Sequence, residues 1–197
     1  MSSKLLIVFG NQLFPEHPAG SIFMAEDEEL CRRFRYHKHK LILILSSMRS
    51  HREELQTSRK MYYYDLNDRR SYADKLADAV RKSGAQELLA YEPDSKDLKK
   101  RLAEYSSQLA LPLTFLRSRK FLLSAEEVDS ALTGKTLRMN SFYIAQRQRM
   151  NVLVFGEKPE GGRWSFDREN RRPFPRDISF PQMPQVEKTR HTEEVSR

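Results

Sequence analysis

Short apolar runs alternate with helix-forming stretches through the first two-thirds of the chain. Lys4-Leu-Leu-Ile-Val-Phe9 reads as a buried strand stopped by Gly10-Asn11. Ser21-Ile-Phe-Met24 reads as a second, shorter strand. The acidic run Glu26 to Glu29 follows it and suits the positive end of a helix dipole. Leu41-Ile-Leu-Ile-Leu45 resembles a strand in isolation, but Leu41, Ile44, Leu45, Met48 and Leu55 fall on one helical face. With no breaker after it, that segment predicts one long helix over 38–59. Strands are then predicted at 61–66, 87–91 and 113–116, with helices over 72–82, closed by Gly84, and 97–109. Strands separated by helices with short connections imply a five-stranded parallel sheet covered on both faces. Ligands of this doubly wound α/β class bind beyond the carboxyl ends of the strands, at a topological switch point.

From Ser124 the pattern changes. Ser124-Ala-Glu-Glu127 has the spacing of a capping box and starts a short helix ended at Gly134. A second helical stretch, rich in Arg and Gln, is predicted over 139–155. After Gly156 no regular period survives. Lys158 to Phe166 and the prolines at 173, 175, 181 and 184 predict an ordered linker or extended arm. The expected division is an α/β domain over 1–134 and a helix plus interdomain linker over 135–197, with the last residues, Lys188 to Arg197, frayed.

Composition narrows the class. At 197 residues and 39% hydrophobic content the chain is large enough to build its own core. A mean hydropathy of −0.72 is polar, yet no apolar run nears bilayer length. Met1-Ser2-Ser3-Lys4 leads straight into the first strand without a cleavage pattern, so a signal peptide is not expected and the compartment reads as cytoplasmic. A single cysteine, Cys31, excludes a disulfide framework or a cysteine-ligated cluster built by this chain alone. The formal charge of +8 favours a polyanionic partner, and ten Lys and Arg against four Asp and Glu between Lys135 and Arg176 hold most of the surplus. That segment fits a solvated basic face as well as a nucleic-acid surface.

Candidate chemistry is sparse. His37 and His39 are two apart between lysines, a poor cation site, so no metal is expected. There is no Gly-x-Ser-x-Gly, no phosphate-binding loop and no Gly-x-Gly-x-x-Gly. At the switch point stand Gly10, Asn11 and Gln12, where a glycine admits a ligand to the backbone and two amides can pair with a heterocycle. On residue types alone, a helix cap or turn at the end of the first strand is the favoured reading. Glu26 either faces the same crevice or is a helix-start carboxylate. Trp164 and Phe166, two apart in a loop, are costly to expose and are expected to pack on something, a further domain included.

Phe9-Gly-Asn-Gln-Leu13, Met24-Ala-Glu26, His37-Lys-x-Lys40 and Ser46-Ser-Met-Arg49 together resemble the amino-terminal domain of bacterial photolyase-related proteins, the iron–sulfur cryptochrome/photolyase group that includes the prokaryotic (6-4) photolyases. Leu137-Arg-Met139 with Phe142-Tyr143, and Lys158-Pro-x-Gly-Gly-x-Trp-x-Phe-Asp-x-Glu-Asn-Arg171, are the most specific parts of the likeness. The resemblance implies a Rossmann-like antenna domain. A larger helical domain carrying FAD and a 4Fe–4S cluster would follow, in the same chain or a separate one. The chain stops at Thr192-Glu-Glu-Val195, which resembles the capped first turn of that domain, so it reads as a trimmed piece, a truncated product or a stand-alone half. Repair needs electron donation from the flavin, so this chain alone is not expected to catalyse it; contact with DNA would come through the parent protein. The family can hold a 6,7-dimethyl-8-ribityllumazine antenna that passes excitation energy to the flavin. Its pocket maps here to Gly10, Asn11, Gln12, Glu26, Lys38 and Ile44, and its domain-docking surface to Trp164, Phe166, Asn170 and Arg171. Asn11, Arg33 and Tyr36 depart from the family's usual residues. Two other classes stay open, a stand-alone module binding a lumazine or nucleotide and a basic nucleic-acid-binding protein without catalysis.

Overall fold

The structure is a computed structural model that describes residues 3–133, 138–173 and 177–196. Five short strands, β1 (Lys4–Ile7), β2 (Ser21–Ala25), β3 (Met61–Tyr64), β4 (Glu87–Tyr91) and β5 (Leu113–Leu116), pair in the order β3-β2-β1-β4-β5, every pair parallel. The chain winds outward from β1 to β3, then crosses back to lay β4 on the other side of β1. This is the expected Rossmann-like, doubly wound sheet, and its switch point lies between β1 and β4.

Strand side chains alternate between two buried faces. Leu5, Ile7, Phe23, Tyr64, Leu88 and Ala90 meet Tyr72, Leu76 and Ala79 of α3 (Tyr72–Ser83) and Leu102 of α4 (Lys96–Gln108). Leu6, Val8, Ile22, Met24, Leu89 and Tyr91 meet Leu45 and Met48 of α2 (Lys38–Leu55). The strand-like Leu41–Leu45 run is helical, as its longer-range period predicts. Helix ends follow local chemistry. Asp27 caps the short α1 (Glu28–Arg32), Ser71 and Ser95 cap α3 and α4, and Gly84 ends α3 at φ 65°.

The chain forms two compact units, Met1–Leu122 with Val186–Arg197 and Leu123–Gln185. The expected boundary at 134/135 and the stop at Gly134 lie outside the described residues, as do Lys135, Leu137, Pro175 and Arg176. In the second unit, α5 (Ala125–Leu132) starts with the predicted capping box, Ser124 and Glu127 each bonding the other's backbone N–H. Helix α6 (Met139–Met150) is shorter than predicted. Asn151 takes a left-handed conformation and ends it, and a two-residue turn at Gly156-Glu157 joins β6 (Val154–Phe155) to β7 (Lys158–Pro159). Residues 177–189 form the extended arm. The frayed end expected after Lys188 is instead a helix, α7 (Arg190–Ser196), packed on α2. Its buried His191 sits between Glu53 (2.9 Å) and Glu194 (2.8 Å), Arg190 pairs with Glu53, and Val195 joins the α2-side core.

The β1–β2 crossover has no helix, and residues 8–20 make it as a loop. It is pinned by His17, 7% exposed, whose Nε2 meets His51 Nε2 at 3.0 Å and whose Nδ1 meets the Tyr91 hydroxyl at 3.1 Å. Arg59 donates to the carbonyls of His17 and Pro18, and Arg119 to that of Glu16. Burial first, then the nearby His51, Arg59 and Arg119 charges, push His17 from 6.5 down to about 4. Burial also lowers His51, against the pull of Glu54.

Two neutral rings can share one Nε2 proton; two imidazolium rings cannot. In the unfolded chain His17 titrates near its ordinary value. Between the two values the unfolded state holds a proton that the folded state lacks, so stability is lost as pH falls through that window. For His17 the loss reaches about 3 kcal/mol near pH 4. Urea unfolding of the wild type and His17→Gln at pH 7 and pH 5 measures it. The variant should start less stable and lose less between the two pH values, and equal losses would remove His17 as the cause.

Candidate functional site

Past β1 the chain turns at once, the Gln12 N–H bonding the Phe9 carbonyl at 2.8 Å. Gly10 sits under α2, where an added Cβ would come within 2.7 Å of both Ile44 Cγ2 and Met48 Sδ. The glycine therefore lets the helix approach the strand end. Beside this contact opens a cavity of about 300 Å³ at the carboxyl ends of β1 and β2, within the size range of small-molecule sites. Phe9, Gly10 and Asn11 line its β1 side, and Leu41, Ile44 and Met48 its α2 side. Leu30 and Cys31 of α1 and Leu98 of α4 add apolar wall. Polar groups are few, namely Asn11, Asp27, Tyr36 and Lys40. Asn11 Nδ2 donates to Asp94 at 3.3 Å, and Asp94 also pairs with Lys120. Asp27 Oδ1 accepts the Glu29 and Leu30 N–H groups. Burial, then Asp27, Glu26 and Glu28, push the Cys31 thiol up, so it stays protonated and unreactive.

Of the six pocket residues read from the sequence, Gly10, Asn11 and Ile44 line this cavity. The other three do different work. Gln12, 1% exposed, donates through Nε2 to the carbonyls of Tyr91 and Glu92, tying the β1 turn to the end of β4, while its Oε1 has no partner. Lys38 is the exposed first residue of α2. Glu26 is fully buried, and Arg49 grips it with two bonds of 2.7 and 3.0 Å. The Tyr63 hydroxyl donates to Glu26 at 2.6 Å and the Leu66 N–H at 3.1 Å, so both oxygens are engaged. The Glu26 bond raises Arg49 above its ordinary value, and burial followed by that carboxylate raises the Tyr63 hydroxyl. Asp27, Tyr36 and Lys40 also line the cavity; Lys40 closes the His37-Lys-x-Lys40 motif and Tyr36 precedes it, but only their place there distinguishes them from surface residues.

In the second unit Trp164 and Phe166 pack locally. Arg147, 5% exposed, donates to the carbonyls of Val152, Leu153 and Trp164 and sits 5.2 Å from the Trp164 ring. Phe166 covers Gly161, held at φ 73°, and carries Arg163 on its face at 4.5 Å. Asn170 and Arg171 are exposed. Phe155 at the tip of the β6–β7 turn is 90% exposed.

The profile of deoxyribodipyrimidine photo-lyase-related proteins matches residues 6–197, nearly the whole sequence. The chain belongs to that family. Over 98% of its length this photolyase-related chain is 28% identical to a (6-4) photolyase of Agrobacterium fabrum, of which it spans 41%. It is 26% identical, over 89% of its length, to an uncharacterized protein of Acanthamoeba polyphaga mimivirus, of which it spans 97%. Among the described residues no helix is long and apolar enough to cross a membrane, and no three His, Cys, Asp or Glu side chains gather as metal ligands.

The Glu26 geometry separates a structural carboxylate from a ligand-binding one. Glu26→Gln leaves the half-buried Arg49 without its anion and should cost about 3 kcal/mol in chemical unfolding. An unchanged unfolding midpoint would return Glu26 to the ligand-binding set.

Proposed function

We propose that this chain is the antenna half of a photolyase-related DNA-repair or blue-light protein. It holds a ribityllumazine in the cavity beneath α2 and docks on a helical domain that carries FAD and the iron–sulfur cluster, through which DNA is engaged. The observation that carries the reading is the 300 Å³ cavity at the carboxyl edge of a doubly wound sheet, in a chain of this family. Its chemistry fits the group in size and character. Apolar side chains of α2 and Phe9 can sandwich a flat ring, while Asn11 and Asp27 offer an amide and a carboxylate to the ring edge. The bound lumazine supplies near-ultraviolet absorption; the protein's part is to hold the ring and exclude water from it.

The mimivirus relative, matched over nearly its whole length, favours a second reading in which this unit works as a separate chain. The ligand cavity serves either arrangement, and the basic second unit then meets its partner in trans.

Two measurements test these readings. Added ribityllumazine should bind the purified chain with a shifted absorption band and quenched fluorescence. Ile44→Trp, which fills the cavity from its α2 wall, should lower affinity at least about tenfold while the melting curve stays cooperative. A chain that ignores the chromophore, or a variant that binds it as well as wild type, would reject the cavity as the antenna site. For docking, Arg171→Glu changes an exposed side chain and leaves the Arg147 cluster intact. It should weaken capture of a co-expressed flavin domain several-fold, and undiminished capture would take Arg171 off the interface.

A further inference from the structure

The charge around the cavity exceeds what a neutral chromophore requires. Between Glu29 and Glu53 the sequence has seven Lys and Arg and no Asp or Glu. Carboxylates from other segments engage Arg32, Arg33 and Arg49, at 2.9 Å from Glu28, 2.6 Å from Asp97 and 2.7 Å from Glu26. Arg35, Lys38 and Lys40 meet no carboxylate among the described residues. Lys40 lines the cavity itself, its ammonium 4.6 Å from the centre of the Tyr36 ring, which also lines it. Lys38, His39 and Lys40 open α2 with no acid in its first turn, where positive charge opposes the helix dipole. An anion at the cavity mouth relieves that repulsion. At the β2 side the opposite sign prevails. Asp27 uses Oδ1 to cap α1 and leaves Oδ2 without a hydrogen-bond partner among the described residues, an acceptor suited to a ring N–H.

We infer that the ligand of this cavity carries a phosphate ester on its polyol tail, with the phosphate at Lys40 and a hydrogen-bond donor of the ring at Asp27. The inference rests on the antenna reading of the same cavity and deepens it, making Lys40 a specificity-determining residue for a phosphorylated heterocycle. Arg35 and Lys38, flanking Tyr36 and Lys40 in the chain, add to the field at the mouth without having to touch the ligand. Lys40 on the face of Tyr36 is placed before the ligand arrives, so little side-chain freedom is lost on binding.

The test titrates the full chain with ribityllumazine and with its terminal phosphate monoester, following chromophore fluorescence. The ester should bind about tenfold tighter at low salt, and its advantage should shrink as salt is added. Lys40→Gln should abolish that advantage. Lys100→Gln, which removes an exposed cation of α4 paired with Glu104, should preserve it. Equal affinities for the two compounds overturn the phosphate assignment and leave the cavity reading standing. Binding of neither compound overturns the cavity reading and this inference with it. Capture of a single-stranded oligonucleotide through Arg35, Lys38 and Lys40, with no preference between the two lumazines, assigns the cations to nucleic acid and overturns the inference on its own.

Discussion

The buried Glu26–Arg49 pair is the constraint on which the α2 side of the sheet depends. Glu26 stands just past β2, Arg49 in the middle of α2, Tyr63 on β3 and Leu66 just beyond it, and all four meet at one carboxylate. A carboxylate taken fully out of water is tolerated only when its oxygens are paired, and the pairing here fixes where α2 crosses the strands. Gly10 works with it from the other strand, removing the Cβ that would strike Ile44 and Met48. Arg49 also reaches Glu194 at 3.7 Å, which extends the same electrostatic line to α7. The cavity opens beside these contacts, walled by the strand ends, α2, α1 and Tyr36.

Much of this was legible in the sequence because it is periodic. The strands alternate between two buried faces, so apolar runs bounded by Gly, Pro and Asn mark them, and Ser71, Gly84 and Ser124 mark helix ends through local hydrogen bonding. Helix α2 was read correctly only over a window long enough to show its 3.6-residue period; the five residues Leu41 to Leu45 alone read as a strand. What failed was long-range. Thr192-Glu-Glu-Val195 resembles a capped first turn, but the ordering of that short polar segment comes from Glu53, more than a hundred positions away. The shortened α6 was hidden for a related reason. Asn151 is, after glycine, a residue suited to a left-handed helix end, but the turn that follows decides that the helix stops there.

The site was half legible for the same reason. Gly10, Asn11 and Ile44 line the cavity, whereas the residue types of Gln12 and Glu26 are equally suited to gripping a ligand and to gripping the protein. Only geometry separates the two. Gln12 is turned toward β4 and Glu26 toward Arg49, which is what buried polar groups require when partners lie within reach. Among the polar groups that line the cavity, Asp27 and Lys40 are ones whose own partners do not exhaust them.

The same reasoning changes the meaning of the basic surplus. Counted along the sequence, the segment from Lys135 to Arg176 looks like a polyanion surface. Counted by contacts, several of its charges already have partners within the unit. Arg147 is buried and saturated by three carbonyls, Arg149 pairs with Glu127, and Arg163 pairs with Glu169 and covers Phe166. A guanidinium with five donors in a fixed plane is well suited to gather the carbonyls of a turn, and at Arg147 that use takes the charge out of solvent. Arg171 and Arg172, with the exposed Phe155, remain on the surface of that unit. The cavity cations differ in kind. Lys40 is a compact charge on a flexible stem with an aromatic face beneath it and no carboxylate opposite, so a phosphate would have no protein anion to displace there.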